Sequence, residues 1–137
     1  MGVVRARDPL PRAAEVILLD THALIWLEQG HTRVRSLLRG ARRLHISPAS
    51  LLELQFLEES GRIRLKRSGL DAVAGDERWV LDEPPSASWF LQAVSLGWTR
   101  DPFDRLLAAH ALLRGWRLAT ADANLLKRLG PTGSLEL

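Results

Sequence analysis

Val16-Ile17-Leu18-Leu19 is a short unbroken apolar run that stops at Asp20. With no polar alternation in it, such a run reads as a strand buried on both faces. His22 to Glu28 and Thr32 to Arg39 then read as helices, and Arg43-Leu44-His45-Ile46 as a second strand. Ser47-Pro48 follows, a cap with proline at the first helical position, and launches a helix to about Glu59 that Gly61 ends. Residues 62 to 77 are basic and then mixed, and predict one or two short helices. Arg78-Trp79-Val80-Leu81 reads as a strand, Pro84-Pro85-Ser86 opens a helix to about Leu96, and Asp101-Pro102 caps another that runs to Arg114 before Gly115. Trp116 to Thr120 is a strand, Ala123 to Leu129 a helix, and Ser134 to Leu137 a final edge strand.

Strand and helix alternate throughout, without internal repeat or low-complexity tract. This order predicts an α/β fold of three layers, a central parallel sheet flanked by helices. With 137 residues, 46% of them hydrophobic, the chain supports one core of ordinary size and not two. Residues 16–137 are read as one domain and residues 1–15 as a flexible N-terminal arm. The arm carries arginines but no apolar stretch before its prolines, so it does not read as a secretory signal. No run approaches the roughly 18 apolar residues of a membrane span, and a cytoplasmic protein is expected.

Charge and cysteine content narrow the chemistry. Lys+Arg of 19 against Asp+Glu of 16 gives a net charge of +3 and a pI near 10.5, a weak sign of a polyanionic partner. Cys 0 rules out disulfides, thiolate metal sites and cysteine nucleophiles. There is no Gly-x-Gly-x-x-Gly, no Gly-x-Ser-x-Gly and no Gly-Lys-Ser/Thr phosphate loop. The histidines, 22, 31, 45 and 110, lack zinc-type spacing; His22 and His110 are candidates for a pocket rim, with packed or surface roles the commoner alternative.

Four acids stand out. Asp20, Glu53, Asp104 and Asp122 each fall where a predicted strand hands over to a helix, or one to two turns into that helix. In an open parallel sheet the ligand crevice lies outside the carboxyl ends of the strands, so acids scattered in sequence converge there. Each also has a local explanation. Asp20 and Asp122 suit helix caps, although Thr21 is better placed to cap the helix after Asp20. Asp101-Pro102-Phe103-Asp104 resembles a capping box, which assigns Asp101 mainly to capping, while Asp104 shares a face with the small Ala108 and Ala111. Glu53 falls on a helical wheel between Phe56 and Leu57, opposite Gln55, Glu58 and Glu59, and so points inward, where an unpaired carboxylate needs a cation. Ser50, one turn before it, is placed to touch the site. An oxygen-only cluster suits Mg²⁺ or Mn²⁺, and on a basic chain it points to metal-assisted phosphodiester cleavage, with RNA as substrate.

The segments LLDTHALIWL, ISPASLLEL, RDPFDRLLAAHA and LATADANLL resemble the PIN-domain endoribonucleases, and within them the VapC-like toxins. The likeness spans about residues 16 to 137. It implies a PIN-like three-layer fold, Mg²⁺- or Mn²⁺-dependent RNA cleavage, a homodimer, and inhibition by a small cognate antitoxin. Carried over residue by residue, it makes Asp20, Glu53, Asp104 and Asp122 the catalytic metal ligands, and Thr120 matches the family's hydroxyl. Candidate phosphate contacts are Arg42, Arg43, Arg62, Arg64, Lys66, Arg67 and Arg105, with Arg33, Arg35 and Arg39; a solvated face is the alternative for each. The five tryptophans are core or interface anchors, or include a base-stacking platform. Two other readings stay open: a catalytically silent interaction module or antitoxin-bound degenerate nuclease, and a phosphotransfer domain. The sequence does not say which RNA is cut.

Overall fold

The computed structural model describes residues 14–65 and 69–137. Most of the N-terminal arm, with Lys66 and Arg67, lies outside these residues. Five parallel strands form one sheet in the order β3-β2-β1-β4-β5: β1 Glu15–Leu19, β2 Arg42–Ile46, β3 Val80–Leu81, β4 Arg117–Thr120 and β5 Ser134–Glu136. The helices are α1 Thr21–Glu28, α2 Pro48–Glu59, α3 Gly69–Ala74, α4 Ser86–Val94, α5 Pro102–Arg114 and α6 Ala123–Gly133, with a 3-10 helix at Thr32–Leu38. Central β1 pairs β2 on one side, Leu18 beside His45, and β4 on the other, Leu18 beside Leu118.

Alternate residues of β1 feed separate cores. Ile17 and Leu19 pack with α1, the 3-10 helix, Leu54 of α2 and Trp79, while Leu18 packs with α4, α5, α6 and Leu118. This is the helix-sheet-helix layering that a strand buried on both faces demands. After β3 the chain crosses back to place β4 on the free side of β1, so strand order reverses between β1 and β4. A crevice at their carboxyl ends follows from that reversal.

Several elements depart from the sequence reading. Strand β1 begins at Glu15 rather than Val16, and Glu15 forms an ion pair with Arg117 at 2.9 Å. The second helix is a 3-10 helix. Only Val80 and Leu81 of the third expected strand pair with β2, because Arg78 turns to grip the Asp76 carboxylate with two nitrogens, and Trp79 plunges into the core with its indole N–H donating to Val73 O at 2.8 Å. Helix α6 is regular to Leu129 and breaks at Gly130, where φ of 69° and ψ of 178° are not helical. Trp79 and Trp89 are buried and Trp26, Trp98 and Trp116 pack against the two cores, so core anchoring is their main role.

His110 is fully buried, with Nε2 2.7 Å from Asp82 Oδ2, and Arg114 donates to the same carboxylate at 2.8 Å. Burial pushes the imidazole below its ordinary range despite that acid. The cluster ties α5 to the residue after β3, and His110 is a packed residue. Because Leu18 fills the second layer completely, Leu18→Ala is expected to cost about 2–5 kcal/mol in urea unfolding; a loss below about 1 kcal/mol would show that the helices collapse onto the gap.

Candidate active site

At the β1/β4 edge lies a cavity of about 130 Å³. Its walls carry Asp20, Glu53, Asp101, Asp104 and Asp122, with Thr21 and His22 alongside and Leu107 and Leu125 as apolar lining. The four acids expected to converge therefore do so, joined by Asp101. Each arrives by a local device. Asp20 follows β1 and caps α1, its Oδ1 accepting from Ala23 N at 2.7 Å. Asp122 caps α6 by accepting from Leu125 N at 2.9 Å. Asp101 caps α5, accepting from Phe103 N and Asp104 N. Proline at the start of α5 and α2, behind Asp101 and the Ser47 cap, fixes where those helices begin. That places Asp104 and Glu53 one to two turns in.

Two expectations need correction. Asp20, not Thr21, caps α1: Asp20 N bonds Ala119 O of the neighbouring strand at 3.1 Å, which holds Asp20 at the strand exit and makes Thr21 the first helical residue. The Thr21 hydroxyl instead pairs with the Ser50 hydroxyl at 3.0 Å, both groups buried, and a proton donated by Ser50 leaves the Thr21 proton for Glu53. Phe56 does not mark the inner face of α2; it is 52% exposed and rests edge-on against Phe103 at 5.6 Å. The inner face is Ser50 and Leu54, with Glu53 beside them at the cavity, half-buried.

The electrostatics follow from burial and crowding. Asp20 is only 5% exposed; burial raises its pKa, partly offset by hydrogen bonds from Thr120 and from the α1 backbone. Burial likewise raises Glu53, against a hydrogen bond from Thr21. Asp104 is pushed up to about 7 by burial and by the neighbouring charges of Asp101, Asp122, Glu53 and Asp20. Thr120 also accepts from Asp122 N at 3.0 Å, so one hydroxyl serves two of the acids. Among the described residues, no lysine or arginine pairs with any of the five.

Hard oxygen donors that are desolvated and mutually repelling suit a divalent cation. In this arrangement, among the described residues, no three acidic or imidazole side chains already stand close enough to bind one. The fit is thus one of donor type and convergence, and the side chains would have to draw inward. The basic candidates lie elsewhere. Arg42 and Arg43 open β2 and so stand at the opposite end of the sheet from the cavity, Arg42 tied to Glu15 and to Ser36 O. Arg62 and Arg64 line a separate concavity with Glu58, and Arg105 donates to Thr99 O at 2.7 Å.

This fold and cavity define a PIN domain: the PIN domain model matches residues 17–130, and the chain belongs to that family. It is VapC-like within it. Ribonuclease VapC22 of Mycobacterium tuberculosis is 33% identical over 116 residues, covering 80% of this chain and 88% of that protein. Two solved structures share the fold. One is VapBC2 from Rickettsia felis bound to a DNA fragment from their promoter, at TM-score 0.63 and 17% identity over 89% of this chain and 98% of that one. The other is PAE2754 from Pyrobaculum aerophilum, at TM-score 0.58 and 23% identity over 90% of each chain.

The raised Asp104 pKa has a signed consequence. Between 3.8, its unfolded value, and about 7, the folded metal-free chain holds a proton that the unfolded chain has lost, so stability falls as pH rises. His45 and His110, lowered by burial, act oppositely but only below their unfolded 6.5. From pH about 6.5 to about 8 the metal-free Tm is therefore expected to decline, and Asp104→Asn to make that decline shallower. Identical slopes for the two proteins in calorimetry would remove Asp104 as the cause.

Proposed function

We propose that this chain is a divalent-metal-dependent endoribonuclease, the toxin of a toxin–antitoxin pair, acting through Asp20, Glu53, Asp104 and Asp122. The observation that carries this reading is the convergence on one cavity of carboxylates from four segments of a VapC-like chain, Asp20 buried, Glu53 and Asp104 half-buried and Asp122 exposed, with the crowding raising Asp104. Those acids would hold Mg²⁺ or Mn²⁺, which when bound supplies an activated water and neutralises charge on the leaving oxygen. The protein's own part is orientation: Thr120 steadies Asp20 and the start of α6, Thr21, itself paired with Ser50, holds Glu53, and Leu107 and Leu125 keep that side of the cavity apolar. No side-chain nucleophile is required. A small antitoxin is the partner expected of a VapC-like toxin, and the setting is cytoplasmic; among the described residues no helix is long and apolar enough to cross a membrane.

A silent interaction module is the second reading, favoured by the capping roles of Asp20, Asp101 and Asp122, which explain those acids without catalysis. Two glutamates of α2 separate the readings. Glu53→Gln is expected to abolish RNA cleavage in Mn²⁺ while leaving the fold intact and raising the metal-free Tm, since it relieves the repelling cluster. Glu58→Gln, on exposed surface, is expected to leave cleavage unchanged and stability within about 0.5 kcal/mol. Cleavage by the unaltered chain in excess EDTA, or full activity of Glu53→Gln, would falsify the metal-nuclease reading.

The homodimer has a candidate face. Pro84 through Trp98 contains no charged residue, and its helix exposes Phe90 at 54%, Leu91 at 70% and Val94 at 71%. Pro102 and Leu106 of α5 continue this surface. This face is apolar apart from Arg105, which is held on Thr99 O, so it lets two like-charged copies of a +3 chain approach, and a two-fold axis would pair it with itself. Leu91→Glu is expected to give a monomer by light scattering where the unaltered chain is a dimer; an unchanged mass would move the interface elsewhere.

A further inference from the structure

Helix α1 is buried along almost its whole length, and the side chains it leaves accessible are His22 and part of Trp26, one turn apart. His22 lines the carboxylate cavity. Its ring centroid lies 6.5 Å from that of Trp26, tilted by 59°, and the Trp26 centroid lies 5.5 Å from His31 at an interplanar angle of 30°. Arg33 places its guanidinium 5.0 Å from the Trp26 centroid. A continuous series of flat groups therefore leads away from the cavity wall down the outside of the molecule. It ends in a strongly basic segment: residues 31–43 contain five arginines and no carboxylate, and Arg33, Arg35 and Arg39 are exposed. Arg33 donates to a terminal carboxyl oxygen of Leu137, the last residue, at 3.0 Å and, among the described residues, pairs with no Asp or Glu side chain.

Flat side chains and guanidinium planes are what unpaired bases stack on, and exposed arginines without Asp or Glu partners are what phosphates seek. We propose that His22, Trp26, His31 and Arg33 form a stacking track that guides single-stranded RNA from the carboxylate cavity onto the arginine face of the 3-10 helix. This rests on the ribonuclease reading and deepens it. Opposite polarities at the two ends give the track a direction: the acidic cavity repels phosphate until a cation is present, whereas the arginine end attracts it in any state. RNA thus binds first by the arginine face and is threaded toward the cavity. RNA is favoured over a protein segment because the outer part of the face is cationic and its inner end is the cavity where a phosphodiester would be cut.

The test uses the full chain carrying Glu53→Gln, so that RNA is bound without being cut, and a fluorescent single-stranded RNA of roughly 12 nucleotides. Binding in Mn²⁺ is read by anisotropy across a salt series. His22→Ala and Arg33→Gln, both exposed, are each expected to weaken binding several-fold, and Trp26→Ala by about tenfold where circular dichroism shows it folded. Arg33→Gln should also flatten the slope of log affinity against log salt by about 0.7. Arg128→Gln removes the same charge beside Trp98 and should leave affinity within twofold. If His22→Ala and Arg33→Gln bind like the parent, or weaken no more than Arg128→Gln, the track is overturned and the face belongs to a protein partner. The ribonuclease reading stands or falls separately, on whether the unaltered chain cuts the same RNA in Mn²⁺.

Discussion

The hydrogen-bonded docking of β1 between β2 and β4 is the constraint on which everything else depends. It buries alternate side chains of one strand in two layers, Ile17 and Leu19 against α1 and Leu18 against α5. It also ends abruptly at Asp20, whose N–H still belongs to the sheet through Ala119 O while its side chain starts a helix. The chain leaves β1 toward one face and leaves β4 toward the other. Asp20 and Asp122 therefore flank the gap between two diverging helices, and α2 and α5 bring Glu53 and Asp104 up to the same gap.

Three of the five cavity acids serve as helix caps, and this is not in conflict with binding a cation. A carboxylate has two oxygens with room for about four hydrogen bonds or ligands. Asp20 uses Oδ1 on Ala23 N and also accepts from Thr120, and Asp122 uses Oδ1 on Leu125 N, which leaves each carboxylate lone pairs to spare. Capping fixes χ angles that a free surface aspartate would sample, so the local explanation for these acids is also the device that preorganises them. Glu53 and Asp104 have no capping bonds; Glu53 is held by Thr21, and both titrate upward with burial and crowding.

Much of this was legible in the sequence because the signals were local and strong. Ser47-Pro48 and Asp101-Pro102 mark helix starts within a residue, the unbroken apolar run Val16–Leu19 marks β1, and Gly115 and Asp122 bracket β4, so the convergence at the carboxyl edge followed from order alone. Other features needed the third dimension. Whether Asp20 or Thr21 caps α1 turns on one sheet hydrogen bond to Ala119. The wheel of α2 misplaced Phe56, since an aromatic side chain partnered on the surface by Phe103 looks the same in sequence as one in the core. Arg78 and Trp79 fit a strand by composition, yet the ion pair to Asp76 and the indole bond to Val73 divert them. The basic runs gave no sign that Arg42 and Arg43 sit at the far end of the sheet while Arg33 is tied to the cavity through Trp26 and His22.

The cavity stores a cost that the rest of the fold must cover. Desolvated acids with no arginine or lysine partner oppose the folded state above the range in which Asp104 sheds its proton. A basic residue placed among them would remove that cost and raise stability, but it would also occupy the oxygens a cation needs. The chain instead keeps its arginines on separate elements, such as Arg114 on Asp82 and Arg117 on Glu15, where they lock α5 to the turn after β3 and β4 to the opening of β1. Charge is thus neutralised where it braces the sheet and left unneutralised where strand order reverses. That separation fits the proposed site, one that would take its counter-charge from outside the protein.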